Sequence, residues 1–166
     1  MKLSDEKVEL VRRGNKVVYD CGDTIVKVFN ETKPASDVFN EALNLARIEE
    51  TGIRTPRILE VSQSEEGWAL MTEKVPGTTL AAEMEKDPSG AQRYLEQFVG
   101  LQLEVQNHVA PLLNRQKDKL SRMINSLESI DATTRYELLM RLDGMQVGAK
   151  VCHGDFNPTN VIVGED

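Results

Sequence analysis

Val151-Cys152-His153-Gly154-Asp155-Phe156-Asn157-Pro158-Thr159-Asn160 runs directly into the apolar stretch Val161-Ile162-Val163. An acid and an amide five residues apart, on a loop poised before a strand, can divide one piece of chemistry between them. The Asp receives the proton of an attacking hydroxyl, and the Asn side-chain oxygen holds a divalent cation against phosphates. The plainer alternative is a polar hairpin in which Asp155 and Asn157 only make Asx turns. The rest of the chain decides between the two.

Upstream, Lys27 sits inside Ile25-Val26-Lys27-Val28-Phe29, and strand alternation puts its side chain on the face of Ile25 and Phe29. Glu41 lies three residues after Val38, four before Leu45 and seven before Ile48, so a helix turns this carboxylate onto its own apolar face. Either residue alone could snorkel to water. Together, two inward charges of opposite sign are best explained as a pair, because an isolated buried charge is strongly disfavoured. Such a Lys–Glu pair, with a His-x-Asp-x-x-x-x-Asn loop downstream, is the arrangement by which kinases orient nucleotide phosphates.

The elements follow from periodicity. Val8–Arg13, Lys16–Tyr19 and Thr24–Phe29, separated by turns at Gly14-Asn15 and Cys21-Gly22-Asp23, read as an antiparallel meander. Ser36 is the expected N-cap of a helix that Gly52 stops. Arg57–Val61 and Trp68–Thr72 are two further strands around a polar turn at Ser62–Gly67, and the second ends in Val75-Pro76-Gly77. From Leu80 to about Gly144 the pattern is helical, with helices marked by Tyr94 to Val109, Leu120 to Leu127 and Tyr136 to Asp143. The expected division is therefore 1–76, five strands and one helix, and 77–166, mainly helical.

Composition agrees with a folded α+β chain. Of 166 residues 40% are hydrophobic and 28% charged. The formal charge of −7 argues against nucleic acid or an anionic membrane as partner. Nothing reads as a secretory signal or a membrane span. Cys21 and Cys152 lie far apart beside only two His, which leaves no zinc pattern and suggests a cytoplasmic protein with reduced thiols. Cys152 is expected to be a small hydrophobe on a buried strand, Trp68 and Phe98 core residues, His108 a helix-end residue, and His153 a loop-ordering one.

With these residues in place, the chain resembles the aminoglycoside phosphotransferase and choline kinase superfamily, whose loop is typically His-Gly-Asp, as in His153-Gly154-Asp155, rather than the His-Arg-Asp of protein kinases. The resemblance implies a protein-kinase-like fold: an N-terminal five-stranded antiparallel sheet with one helix, then an incomplete helical lobe. It implies ATP or GTP and Mg²⁺ as cofactors and a small-molecule hydroxyl as acceptor. Asp155 is then the catalytic base, Asn160 a magnesium ligand, Lys27 the phosphate contact and Glu41 the residue that positions it. Met71 corresponds to the back of the adenine pocket, and Thr72-Glu73-Lys74 to a hinge whose backbone binds adenine.

Two departures stand out. Arg12-Arg13-Gly14-Asn15-Lys16 has one glycine and lacks a Gly-x-Gly-x-x-Gly cradle. In the superfamily a further strand after Asn160 carries a magnesium-chelating Asp. The sequence ends at Gly164-Glu165-Asp166, with Asp166 at the turn position and too early for that role. The expectation is a C-terminally truncated relative with little transfer activity and with self-association through apolar faces such as Leu139, Val161 and Val163. The alternative is a nucleotide-binding pseudokinase or scaffold.

Overall fold

A computed structural model describes residues 6–164. Val8–Arg13 (β1), Lys16–Asp20 (β2) and Thr24–Phe29 (β3) form the meander, followed by Ala35–Glu49 (α1), Ile58–Ser64 (β4) and Gly67–Glu73 (β5). The five strands make one antiparallel sheet in the order β1-β2-β3-β5-β4. β4 runs further than its apolar residues suggest. Ser62, Gln63 and Ser64 pair with Ala69, Trp68 and Gly67, which leaves Glu65-Glu66 as the turn.

The sheet has two faces because its strands alternate. On one, Phe29 and Leu70 are buried against Val38 and Ala42 of α1, with Ile58, Val61 and Trp68 around them. On the other, Tyr19, Val26, Val28 and Ala69 are buried, flanked by Val17, Cys21 and Met71. Each Val, Leu or Phe side chain among them contributes about 1.5–3 kcal/mol on full burial, which makes these two clusters the main stabilisation of the sheet. α1 starts one residue before the expected Ser36 cap. The Pro34 carbonyl accepts from the Asp37 and Val38 N–H groups, so Ser36 lies inside the first turn.

Thr78–Thr79 (β6), Leu80–Lys86 (α2), Ala91–Asn107 (α3), Gln116–Ser126 (α4) and Ala132–Gly144 (α5) follow, and then a 3₁₀ turn at Pro158–Asn160 leads into Ile162–Val163 (β7). β6 and β7 pair antiparallel, Thr78 with Val163 and Thr79 with Ile162. This brings the end of the chain back to the residues that leave the large sheet. Leu80, Tyr94 and Val161 are buried together there, with Met84, Phe98, Leu101, Phe156 and Val163 packed on them. Val161 is therefore a core residue and not an unpartnered apolar face. Cys152 departs from expectation too: it is exposed and lies outside any strand, because β7 begins only at Ile162.

Gly77 makes the β6–β7 contact possible. Its φ of +129° is a conformation that side chains disfavour, and a Cβ there would collide with the Val163 carbonyl oxygen. The helices beyond are less covered. Leu95, Val99 and Leu103 form an exposed stripe on α3, and Tyr136 and Met140 are exposed on α5. Asn114, between α3 and α4, donates to Asn40 Oδ1 of α1 at 2.8 Å and ties the helical part to the sheet's helix. Among the described residues, no helix is long and apolar enough to cross a membrane.

Candidate functional site

The loop is built around Asp155. Gly154, at φ +85°, turns the chain between His153 and Asp155, in the left-handed region where glycine has no steric cost. The Asp155 N–H then donates to His153 Nδ1 at 3.2 Å, so His153 orders the loop as expected. Two amides fix the carboxylate. Asn157 Nδ2 donates to Asp155 Oδ1 at 3.0 Å, and Asn160 Nδ2 donates to Asp155 Oδ2 at 3.1 Å. Both also donate to the Asp155 carbonyl, at 3.1 and 2.8 Å.

These bonds orient the amides as well. Asn157 Oδ1 accepts from the Thr159 N–H, an Asx turn that starts the 3₁₀ segment. Asn160 Oδ1 is left without a hydrogen bond among the described residues and is the loop's free neutral oxygen. Hard oxygen donors of this kind suit Mg²⁺, which needs few protein ligands because it keeps waters and takes phosphate oxygens. Among the described residues, no group of three or more His, Cys, Asp or Glu could hold a metal by itself. Asp166 lies outside the described residues.

Phe156 anchors the loop from below. Its ring stacks on Phe98 of α3 at 4.6 Å and meets the His153 ring edge-on at 6.0 Å. A cavity of about 110 Å³ borders this contact, lined by Gln102, Gln106, His153 and Phe156 among others. His108, at the end of α3, faces the Glu104 carbonyl through Nδ1 at 2.9 Å and takes no part in the loop.

The second cluster lies on the sheet. Lys27 Nζ donates to Glu41 Oε1 at 3.1 Å, and both side chains are about 29% exposed, so solvent reaches the pair without dissolving it. The cross-strand register explains the geometry. Lys27 opposes Val18 and Leu70, which puts it on the α1 face, where Glu41 comes down from the helix. Lys16, which the motifs did not single out, opposes Phe29 on the same face. Burial first, then the nearby Lys27, hold its ammonium below the usual lysine range. The signal was available in the alternation of β2, but only once its register with β3 was known. Among the described residues, no hydrogen bond or ion pair joins this cluster to the loop.

The hinge residues divide between the two faces of the sheet. Met71 opposes Val26 and packs against the cluster that contains Tyr19, Val28 and Ala69, on the face away from Lys27. Thr72 opposes Ile25, is 5% exposed and shares the face of Lys27. The parity of β5 therefore gives the position beside the lysine to Thr72, not Met71. Two of the hinge's backbone donors are engaged within the fold. The Glu73 N–H donates to the Arg57 carbonyl and the Lys74 N–H to the Asp23 carbonyl, both at 3.0 Å. The Lys74 side chain is bound at 2.7 Å to Asp20, whose carboxyl it holds below the usual range. Val75 supplies the first N–H after β5 that makes no hydrogen bond among the described residues.

Comparison with known proteins places the fold. The sequence profile of a phosphotransferase enzyme family matches residues 12–166. An aminoglycoside phosphotransferase from Streptomyces rimosus superposes with a TM-score of 0.60 at 17% identity, over 95% of this chain and 66% of that one. An aminoglycoside-3'-phosphotransferase of type VIII gives 0.58 at 23%, over 96% and 66%. A thermostable mutant of another aminoglycoside phosphotransferase, in ternary complex with AMP-PNP and hygromycin B, gives 0.58 at 14%, over 97% and 63%. At these identities the likeness is one of fold, a five-stranded sheet with helices in a kinase-like arrangement. The chain spans about two thirds of the length of these proteins. No curated protein sequence matches it.

Proposed function

We propose, from the premise that this chain belongs to the phosphotransferase enzyme family, that it binds a nucleoside triphosphate against the Lys27–Glu41 pair and serves transfer of the terminal phosphoryl group to a hydroxyl of a small molecule. The observation that carries this reading is the 3.1 Å ion pair between Lys27 and Glu41 on the sheet's helix-covered face. A lysine held there by a carboxylate keeps its ammonium in place for phosphate oxygens, and phosphoryl transfer depends chiefly on such positioning and on electrostatic stabilisation.

The geometry supports the following roles. Asp155 is the proton acceptor for the attacking hydroxyl, and the Asn157 and Asn160 amides hold its carboxylate in one orientation. Asn160 Oδ1 is the oxygen that would hold Mg²⁺, which when bound supplies neutralisation of phosphate charge. Adenine recognition is assigned to the Thr72 side and the Val75 N–H, in place of Met71 and Lys74. Cationic amino sugars are the first acceptor class to test, supported by the named activities of the fold neighbours.

The test is titration of the 166-residue chain with ATP and with GTP in Mg²⁺, together with turnover in the presence of amino-sugar acceptors. Lys27→Met should weaken nucleotide binding at least tenfold, on the scale of a lost charge-assisted contact, with unchanged circular dichroism. Asp155→Asn should bind nucleotide as the parent does and abolish any turnover. Binding without turnover in the parent would support the nucleotide-binding part of this reading alone. Absence of binding in the parent, or parent-like binding by Lys27→Met, would refute the assignment of the site.

A further inference from the structure

The β1–β2 hairpin presents a lysine that folding places at an electrostatic disadvantage. Lys16 opens β2, opposite Arg13 on one side and Phe29 on the other, and is half-buried on the face of Lys27. The charged groups facing it are Lys27 of β3, Glu41 of α1, Arg13 of β1 and Lys33 of the β3–α1 connection. Three of these are cations. Glu41 is bound to Lys27, and Lys33 lies 3.8 Å from Asp37. The Lys16 and Arg13 side chains make no hydrogen bond or ion pair among the described residues. A half-buried ammonium beside other cations costs free energy unless an anion joins it.

The hairpin is also held still. Asn30, just after β3, donates through Nδ2 to the Gly14 carbonyl at 2.8 Å, and its N–H donates to the Asn15 carbonyl at 3.1 Å. Lys16 is thus presented from a fixed turn, and a preorganised donor loses less on binding. The turn has one glycine, so it offers no glycine-rich run of backbone N–H groups to phosphates, and its donors are side-chain cations instead.

We propose that Lys16 is a second cation of the nucleotide site, one that meets the terminal phosphates of the triphosphate engaged by Lys27. This rests on the nucleotide reading above. The ligand class follows from the charge: two lysines on one face, of which Glu41 offsets one, select a polyphosphate over a monophosphate.

The experiment compares the parent chain, Lys16→Met, Lys16→Arg and Lys27→Met by calorimetric titration with ATP and with AMP at fixed ionic strength. Lys16→Met should bind ATP about tenfold more weakly, as expected for one lost charge-assisted contact. Its AMP binding should stay within about twofold on the same grounds, and Lys16→Arg should recover most of the loss. The thermal midpoint of Lys16→Met should be no lower than the parent's, because the substitution removes an unfavourable charge. ATP binding at alkaline pH should draw protons onto the parent and not onto Lys16→Met, an uptake that a purely structural role would not produce. Parent-like ATP binding by Lys16→Met, alongside loss in Lys27→Met, would overturn the role of Lys16 and leave the nucleotide site standing. No ATP binding by the parent would overturn both.

Discussion

Two glycine-to-alanine substitutions should act in opposite directions. At Gly77 the backbone φ of +129° costs an L side chain about 1–3 kcal/mol. The added Cβ also meets the Val163 carbonyl oxygen and the Ile162 side chain. β6 and β7 must then separate, which weakens a ladder reinforced by the 2.8 Å bond from the Leu80 N–H to the Val161 carbonyl. At a net worth of about 1 kcal/mol per hydrogen bond, Gly77→Ala should cost roughly 2–5 kcal/mol in all. Gly100 lies inside α3 with open space around it, so Gly100→Ala should gain about 0.5–1 kcal/mol. At roughly 2–4 °C per kcal/mol for a chain of this size, thermal midpoints should fall by about 4–20 °C in the first case and rise by about 1–4 °C in the second. Differential scanning calorimetry and urea unfolding measure both. Because β7 directly follows Pro158–Asn160, Gly77→Ala should also loosen the loop, seen as faster amide exchange at Asp155 and Asn160. A Gly77→Ala midpoint within 1 °C of the parent's, or shifts of the same sign at both sites, would refute the reasoning.

The adenine assignment is tested by bulk: Thr72→Trp should abolish nucleotide binding while Met71→Trp should leave it close to the parent's, and the reverse order in a titration would restore the hinge to Met71. Acid sensitivity is expected from the carboxylates the fold holds ionised, of which Asp131 is the clearest because it caps α5 by accepting from the Thr134 N–H at 2.8 Å, a bond that keeps its carboxyl below the usual range. Its stabilisation is present above about pH 4 and is lost as pH falls through the lowered value, so the margin of the parent over Asp131→Asn in thermal midpoint should shrink or invert between about pH 6 and pH 2. A margin constant with pH would show that the cap does not titrate.

Much of the architecture was legible in the sequence. The spacing of Val38, Glu41 and Leu45 determined a helix with a carboxylate on its apolar face, and the alternation of Ile25, Lys27 and Phe29 a strand with a lysine beside it. Their meeting at 3.1 Å follows from the cost of leaving either charge buried and alone. The loop from His153 to Asn160 was equally local: Gly154 and the two amides act on a residue no more than five positions away. What the sequence left open was register. Whether Met71 or Thr72 stands beside Lys27 depends on Lys27 pairing with Leu70, 43 positions along the chain, and a slip of one residue exchanges every side chain between the faces of β5. The half-buried place of Lys16 among Lys27, Glu41 and Arg13 depends likewise on how β1 and β3 flank β2. The burial of Val161 under Leu80 and Tyr94, with Cys152 left outside, depends on β7 returning to β6 across most of the second half. Local periodicity sets which residues share a face of one element. Which faces oppose one another is the sum of many weak contacts between distant segments, and that sum exists only in the folded chain.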